Sequence, residues 1–459
     1  MERMVREAGI SQEEKETFFR WVMTSLADTY KTERMNQRIV VENEINSLGI
    51  RLPIGTVRAM YSASFTLPAG KISNVRLEGA EELGLGWEMD AKGILTISGK
   101  PRQIGDFTLS LRYETVEGEP ASELKIPVAF NPNPRDIWKN KPTDFSRIPY
   151  PKPDSASEYV KVEATADGIP RKDMVAASQR GRSHAHEGKP RDDHFSLRFC
   201  DGSGWYVMAV ADGAGSARFS RKGSEEACET VAEYCLGCLA ENHAFEEAIR
   251  LWQDDKDNDE KRSAVSRLVV TLLYNGAVKA YEAVKKAAEE KEGATLRDFA
   301  TTLMFALCKK FDFGWFICSF WVGDGAMGIY DAERKTFKLL GTPDEGEFSG
   351  QTRFLTMRDI FSDPDLVKKR MRMTVVPDFT ALFLMSDGVS DPMFETVKNL
   401  NDYNKWEEFY ACLRNGFPED EIGGVDLSRD NEEAADQLLK WLDFWSQGNH
   451  DDRTIAILY

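Results

Sequence analysis

Apolar runs that stop on an aspartate constrain this chain more than anything else in it. VMAVADGAGS (207–216) carries a strand-like run into Asp212 and a glycine-rich turn. LFLMSDGVSD (382–391) repeats the pattern at Asp387, with Asp391 in the turn that follows. In NHDDRTIAIL (449–458), Asp451 and Asp452 stand directly before the last apolar run, and GKPRDDHF (188–195) adds the adjacent pair Asp192 and Asp193. A single Asp-Gly at a strand end is ordinary turn chemistry. A set of them predicts that strands bring Asp192 or Asp193, Asp212, Asp387 and Asp451 into one cleft.

Such a cleft has a chemical consequence. Two carboxylates about 4 Å apart repel by roughly 4 kcal/mol at an effective dielectric of about 20, so four together hold either protons or cations. Oxygen ligands without a histidine cluster favour hard ions, Mg²⁺ or Mn²⁺, over zinc. Two such ions sharing a carboxylate and a water suit attack on a phosphoryl group. Asp391 and Asp452 read more simply as turn or capping residues, and Asp324 either closes a tight turn or joins the site.

The chain's 459 residues suit two or three domains. A formal charge of −17 repels polyanions, so no nucleic-acid partner is expected and divalent cations are the natural charged ligands. Seven cysteines without a disulfide framework indicate a reducing compartment. Cys235 and Cys238 form a lone CxxC on a helical stretch, which reads as packing rather than zinc. MERMVREAGI has no apolar signal core, and WFICSFWV (315–322) is too short to span a bilayer. A cytoplasmic location without membrane association is the expectation.

Four segments follow from pattern. Residues 1–50 read as helical: Ser11 and Glu14 make a capping box, and Phe18, Val22, Leu26 and Tyr30 share one face, expected to pack within the chain. Residues 52–131 alternate at period two, through Val57, Ala59, Tyr61, Ala63, Phe65 and Leu67, then Phe107 to Tyr113, then Leu124 to Phe130. Turn signals at 67–70, 90–93 and 99–106 make this a small antiparallel sandwich. The run GLGWEMDAKGILTISGKPRQIGDFTLSLRYE resembles immunoglobulin-like domains of bacterial multidomain proteins. Residues 132–157 are proline-rich and predict an extended connector. Residues 158–459 alternate helix and strand: helices at 220–240, 268–290 and 431–446, strands at 301–308, 315–322, 327–331, 380–386 and 454–458, and a solvated loop at 257–262. Helices outside and sheets inside give a layered α/β (α+β) domain. The mixed segment 345–372 is expected to lie beside the site.

The ordered motifs DD, VADGAG, ATTL (300–303), WVGDGAMGIYD (321–331), LMSDGVSD and DDRT resemble the metal-dependent serine/threonine protein phosphatases of type 2C, in a bacterial branch, over about residues 175–459. The resemblance implies a four-layer αββα sandwich with two Mn²⁺ or Mg²⁺ ions in a cleft at one end, whose bound hydroxide hydrolyses phosphoserine or phosphothreonine. It implies that Asp212 bridges the metals, that the Gly213 carbonyl contacts one, and that Asp387 and Asp451 complete the other's shell. Asp192 stands where the family usually has Glu and would bind through water. Asp193 would orient metal-bound water, and Asp324 matches a position linked to a weaker third metal. Thr301 and Thr302 match a structural strand.

The pattern departs in two places. An Arg that holds phosphate in many relatives falls at Gly188 here, leaving Arg182 as the candidate phosphate ligand, with Ser183 or His184 sharing the work. Ala214 stands where eukaryotic members often carry His, so leaving-group protonation falls to metal-bound water or His184. His194 and His450 read as local hydrogen-bond partners, and His243 as solvated. A phosphorylated protein is the implied substrate and a cognate Ser/Thr kinase a conceivable partner. The alternatives are a catalytically silent binding module on the same fold, or a small-molecule phosphatase.

Overall fold

The computed structural model describes residues 7–459 except 8, 12, 116–119, 147, 164–170 and 345–351. Two compact units divide the chain, Met1–Ile137 and Trp138–Tyr459.

In the first unit, helix α1 (Lys15–Ser47) precedes strands β1 (Gly55–Thr56), β2 (Tyr61–Thr66), β3 (Ser73–Glu78), β4 (Leu85–Met89), β5 (Ile94–Gly99), β6 (Gly105–Glu114) and β7 (Ser122–Asn131). The strands form two sheets, β1-β7-β6-β3 and β2-β5-β4. Alternation places Leu109, Leu111, Ile126 and Val128 of one sheet against Leu85, Leu95 and Ile97 of the other in a single core. The strand expected from Val57 starts only at Tyr61, because Arg58 takes a positive φ of 65° and turns the chain. Ser11 Oγ donates to the Glu14 carboxylate at 2.7 Å and accepts from Glu14 N–H at 3.3 Å. This closes a turn ahead of α1, whose N-cap is Glu14 itself and makes no side-chain cap bond, so the expected capping box is a correction. The face of Phe18, Val22, Leu26 and Tyr30 is a correction. Leu26 and Tyr30 are each 60% exposed, and only Ile45 of α1 is buried.

The second unit holds β8 (Ser155–Val160), β9 (Met174–Gln179), α2 (Arg182–Glu187), β10 (His194–Cys200), β11 (Trp205–Ala211), α3 (Ser220–Leu239), α4 (His243–Asp254) and α5 (Asp259–Glu290). There follow β12 (Leu303–Phe311), β13 (Gly314–Val322), β14 (Ala326–Asp331), β15 (Thr336–Gly341), α6 (Pro364–Lys369), β16 (Met371–Val376) and β17 (Ala381–Met385). Helices α7 (Asp387–Phe394), α8 (Tyr403–Asn415) and α9 (Ala434–Trp441) lead to β18 (Arg453–Leu458). The sheets run β10-β11-β12-β13-β16 and β15-β14-β17-β18-β9-β8, with every pairing antiparallel.

Why the apolar runs lack polar alternation is now clear. In β11, Tyr206, Met208 and Val210 enter the core between the sheets, while Val207, Ala209 and Ala211 enter the core under α3 and α5. In β17, Leu382 and Leu384 face inward, and Ala381, Phe383 and Met385 meet α8 and α9. Both strand faces are buried, so every position is apolar. Helix, sheet, sheet and helix form the four layers expected.

Three local expectations are corrected. The solvated loop at 257–262 becomes helix from Asp259, because Asn258 accepts from the Glu260 and Lys261 N–H groups and acidic residues suit a helix start. The helix expected over 431–446 is shorter, Ala434–Trp441. The connector is anchored from Trp138 onward: Arg180 holds the Asn140 side chain and the Lys141 carbonyl, and Lys152 is buried. Part of the segment 345–372 lies outside the described residues; its remainder forms α6 and leads into β16. The seven cysteines are unpaired, with Cys235 buried on α3.

Candidate metal centre

Strand register assembles the carboxylates. His194 pairs with Ala211, so Asp193 and Asp212 emerge as neighbours one residue beyond β10 and β11. In the other sheet, Ala326 pairs with Met385 and Met385 with Ile455. Asp324, Asp387 and the pair Asp451–Asp452 therefore leave at the same end. Oxygens of Asp212, Asp324 and Asp387 lie within 4.8 Å of one another, as do ligand atoms of His184, Asp451 and Asp452.

Asp212 is fixed through its backbone. Its N–H donates to Thr302 Oγ1 at 2.8 Å, and its carbonyl accepts from Thr301 Oγ1 at 2.9 Å and Thr302 N–H at 2.8 Å. The two threonines thus lock the residue at the end of β11. Gly213 is sterically required, since a Cβ there would stand 2.7 Å from the Asp192 carbonyl oxygen. Asp387 opens α7, where Ser386 N–H donates to the Thr454 carbonyl at 2.9 Å. Asp193 accepts from Thr454 Oγ1 at 2.7 Å. Asp324 accepts from Thr352 Oγ1, which brings the segment after residue 351 against the site.

Charge and burial act together here. Burial first, then Asp193, Asp387 and Asp451, raise the Asp212 carboxyl well above its ordinary range. Asp387 is raised by burial and then by Asp324, Asp451 and Asp193. Asp193 is pushed up to about 7, by burial and then Asp452. Asp192 rises to about 6 for the same two reasons, in the same order. Asp451 is raised by burial and Asp452. One oxygen each of Asp192, Asp193, Asp324 and Asp387 is buried without a hydrogen-bond partner. Orphaned carboxylate oxygens that repel one another fit hard divalent cations.

Asp452 was the residue sequence reasoning undervalued. It is not a turn residue: at 1% exposure it accepts from Gly181 N–H and Asp192 N–H, both at 2.6 Å, and lies 3.0 Å from His184 Nδ1. His184 Nε2 faces Asp192 at 3.7 Å. Burial alone would lower the imidazole, but Asp452 and Asp192 outweigh it and hold it at about 9. Arg182 is not brought into the cluster. Its Nη2 donates to the Asp443 carbonyl at 2.7 Å and carboxylate at 3.0 Å, with the guanidinium over Trp445. Ser183 Oγ donates to the His450 carbonyl at 2.6 Å. Arg221 is the arginine beside Asp192, at 3.3 Å, and it also donates to the Pro149 carbonyl. Neither Arg221 nor Lys152 carried a sequence signal; both sit in unpatterned context. His194 pairs with Glu229 at 3.2 Å, His450 packs on Trp138 with ring centres 4.2 Å apart, and His243 is exposed.

Residues 180–443 match the protein phosphatase 2C family. No curated protein matches the chain. Among solved structures, the serine-threonine phosphatase 2C from Toxoplasma gondii is 13% identical, covering 66% of this chain and 98% of that one at a TM-score of 0.40. A bacterial serine phosphatase is 10% identical, covering 62% and 96% at a TM-score of 0.37. The catalytic domain of the serine threonine protein phosphatase PstP, solved with two manganese ions, is 13% identical, covering 66% and 97% at a TM-score of 0.32. The family match spans more than half the chain and contains Asp192, Asp193, Asp212, Asp324 and Asp387, so the chain belongs to the protein phosphatase 2C family, whose members are phosphoric monoester hydrolases.

Proposed function

We propose that this chain removes phosphate from phosphoserine or phosphothreonine in proteins at a centre for two Mn²⁺ or Mg²⁺ ions. Asp212, Asp387, Asp451 and the Gly213 carbonyl would hold them, with Asp192 one layer out and Asp324 available to a weaker third ion. The observation that carries this reading is the set of buried carboxylate oxygens left without donors on Asp193, Asp324 and Asp387, with that of Asp192 facing Arg221 without a hydrogen bond. Bound there, the ions would supply an activated water and neutralise phosphoryl charge.

The chain's own groups divide the remaining work. Asp193 Oδ2 is tied to Thr454, which leaves Oδ1 to orient the attacking water and accept its proton. His184 holds a proton between Asp452 and Asp192 and is the candidate donor to the leaving oxygen. Arg182 would have to exchange Asp443 for substrate phosphate to serve as its ligand. In this reading the first unit recruits the phosphoprotein or its kinase.

The test is Mn²⁺-dependent phosphate release from a phosphothreonine peptide by the native chain, Asp212→Asn and Asp387→Asn. Release is expected to require metal and to collapse in both variants. Release that survives chelator or both substitutions overturns the proposal.

A further inference from the structure

Beside the carboxylate cluster lies an open groove of about 600 Å³ that the proposed chemistry leaves unused. Asp391 belongs to both. It sits one turn after Asp387 on α7, within Coulombic reach of Asp324 and Asp451, and it lines the groove. Farther along, Glu395 and Glu408 line the groove together with Phe417, Phe444 and Trp445. Among the described residues, no lysine or arginine lines it.

Resting on the phosphatase reading, we propose that this groove receives an arginine or lysine side chain flanking the phosphorylated residue of the substrate protein. Carboxylates over aromatic walls form the environment that holds a guanidinium or ammonium by charge and by ring contact together. Two of these rings already carry a guanidinium of the chain itself: Arg453 lies 3.8 Å from the Phe444 ring centre, and Arg182, also paired with Asp443, lies 5.4 Å from that of Trp445.

Glu395 ends α7 in an uncommon conformation. Its φ of 61° is a conformation glycine adopts freely and glutamate does not, and its N–H is tied to the Asp391 carbonyl at 2.8 Å. Glu408 is exposed and pairs with the half-buried Lys405 at 3.0 Å, a surface pair that an incoming cation can enter at little cost.

The experiment measures kcat/KM for p-nitrophenyl phosphate, for an uncharged phosphothreonine peptide, and for peptides with arginine placed in turn at each neighbouring position. Native protein is compared with the double variant Glu395→Gln, Glu408→Gln. We expect arginine at one position or more to raise kcat/KM about tenfold in the native chain, less so at high salt. The gain should fall to about twofold in the double variant, with p-nitrophenyl phosphate turnover unchanged. Equal rates for charged and uncharged peptides, a preference for apolar neighbours, or a gain that survives the double substitution each overturn the inference. Absence of p-nitrophenyl phosphate turnover in the native protein overturns the phosphatase reading itself, and this inference with it.

Discussion

His184 and Asp452 form a buried pair, Nδ1 to Oδ1 3.0 Å, and the same carboxylate fastens the backbones of Gly181 and Asp192. One aspartate thereby ties the start of α2, the loop before β10 and the entry to β18 into a single corner. The pair raises the imidazole from 6.5 to about 9, about 3 kcal/mol of linkage in the metal-free protein. A base raised on folding contributes its full stability below its unfolded value and loses it as pH rises through the folded one. His184→Asn should therefore cost about 3 kcal/mol at pH 6, and the gap to the native chain should close by about pH 10. Urea unfolding in chelator across that range checks it; a gap independent of pH refutes the charge pairing.

The carboxylates of the cluster act in the same direction for acids. Asp192 and Asp193 titrate near about 6 and about 7, and Asp212 and Asp387 are raised further by burial and mutual repulsion, so the metal-free site carries protons at neutral pH. The contribution of these four carboxyls to metal-free stability is present in full below about pH 4 and is lost as pH rises through these values. Mn²⁺ must displace those protons. Its affinity should rise with pH between about 5 and 8, with proton release visible as a buffer-dependent enthalpy in calorimetry. Affinity that is flat over this interval would show that the carboxylates are already ionised.

Much of this corner was legible before the fold. Asp212 and Asp387 end apolar runs, and such runs must be strands buried on both faces, so their ends could be matched by order alone. Asp452 escaped because an aspartate beside a proposed ligand looks like a cap until the Gly181 and Asp192 N–H groups arrive from elsewhere in the chain. Arg182 misled for the reverse reason: its place in sequence is near the motif, but Asp443, remote in sequence, takes its guanidinium. The α1 face is expected to pack within the chain, and is exposed instead, because periodicity reports amphipathicity, not whether a partner is present. Partners contributed by distant segments leave no local pattern.

Gly213 makes a sharper test of geometry than any charge substitution. A Cβ there would meet the Asp192 carbonyl oxygen at 2.7 Å, with the Asp192 Cβ and Ser220 carbonyl carbon each at 3.0 Å. None of these is the free end of a flexible side chain, so the Asp192–Asp193 loop must move. Gly213→Ala should cost about 1–3 kcal/mol and weaken Mn²⁺ binding at least tenfold while the chain still folds. Circular dichroism and metal titration separate the two effects. Unchanged metal affinity would remove the Gly213 carbonyl and its neighbour loop from the site.

Lys152 tests whether the proline-rich segment supports the site from beneath. Its Nζ donates to the Asp193 carbonyl at 2.8 Å, the Arg221 carbonyl at 3.2 Å and Ser224 Oγ at 3.3 Å. Ser224 in turn donates to the Asp192 carbonyl at 2.5 Å, so one lysine underpins both aspartates of the pair. Lys152→Met keeps the volume and leaves three acceptors without their donor, an expected cost of about 1–3 kcal/mol. Burial, and next Arg191, pull the ammonium down to about 7, so the folded chain releases this proton earlier than the unfolded one. The native chain should gain on the variant as pH rises from 7 to about 10.5. Phosphopeptide turnover should fall about tenfold in kcat with KM little changed, because the aspartates shift while the proposed substrate groove stays intact. A variant that loses stability yet keeps native kcat would make Lys152 a purely structural tie.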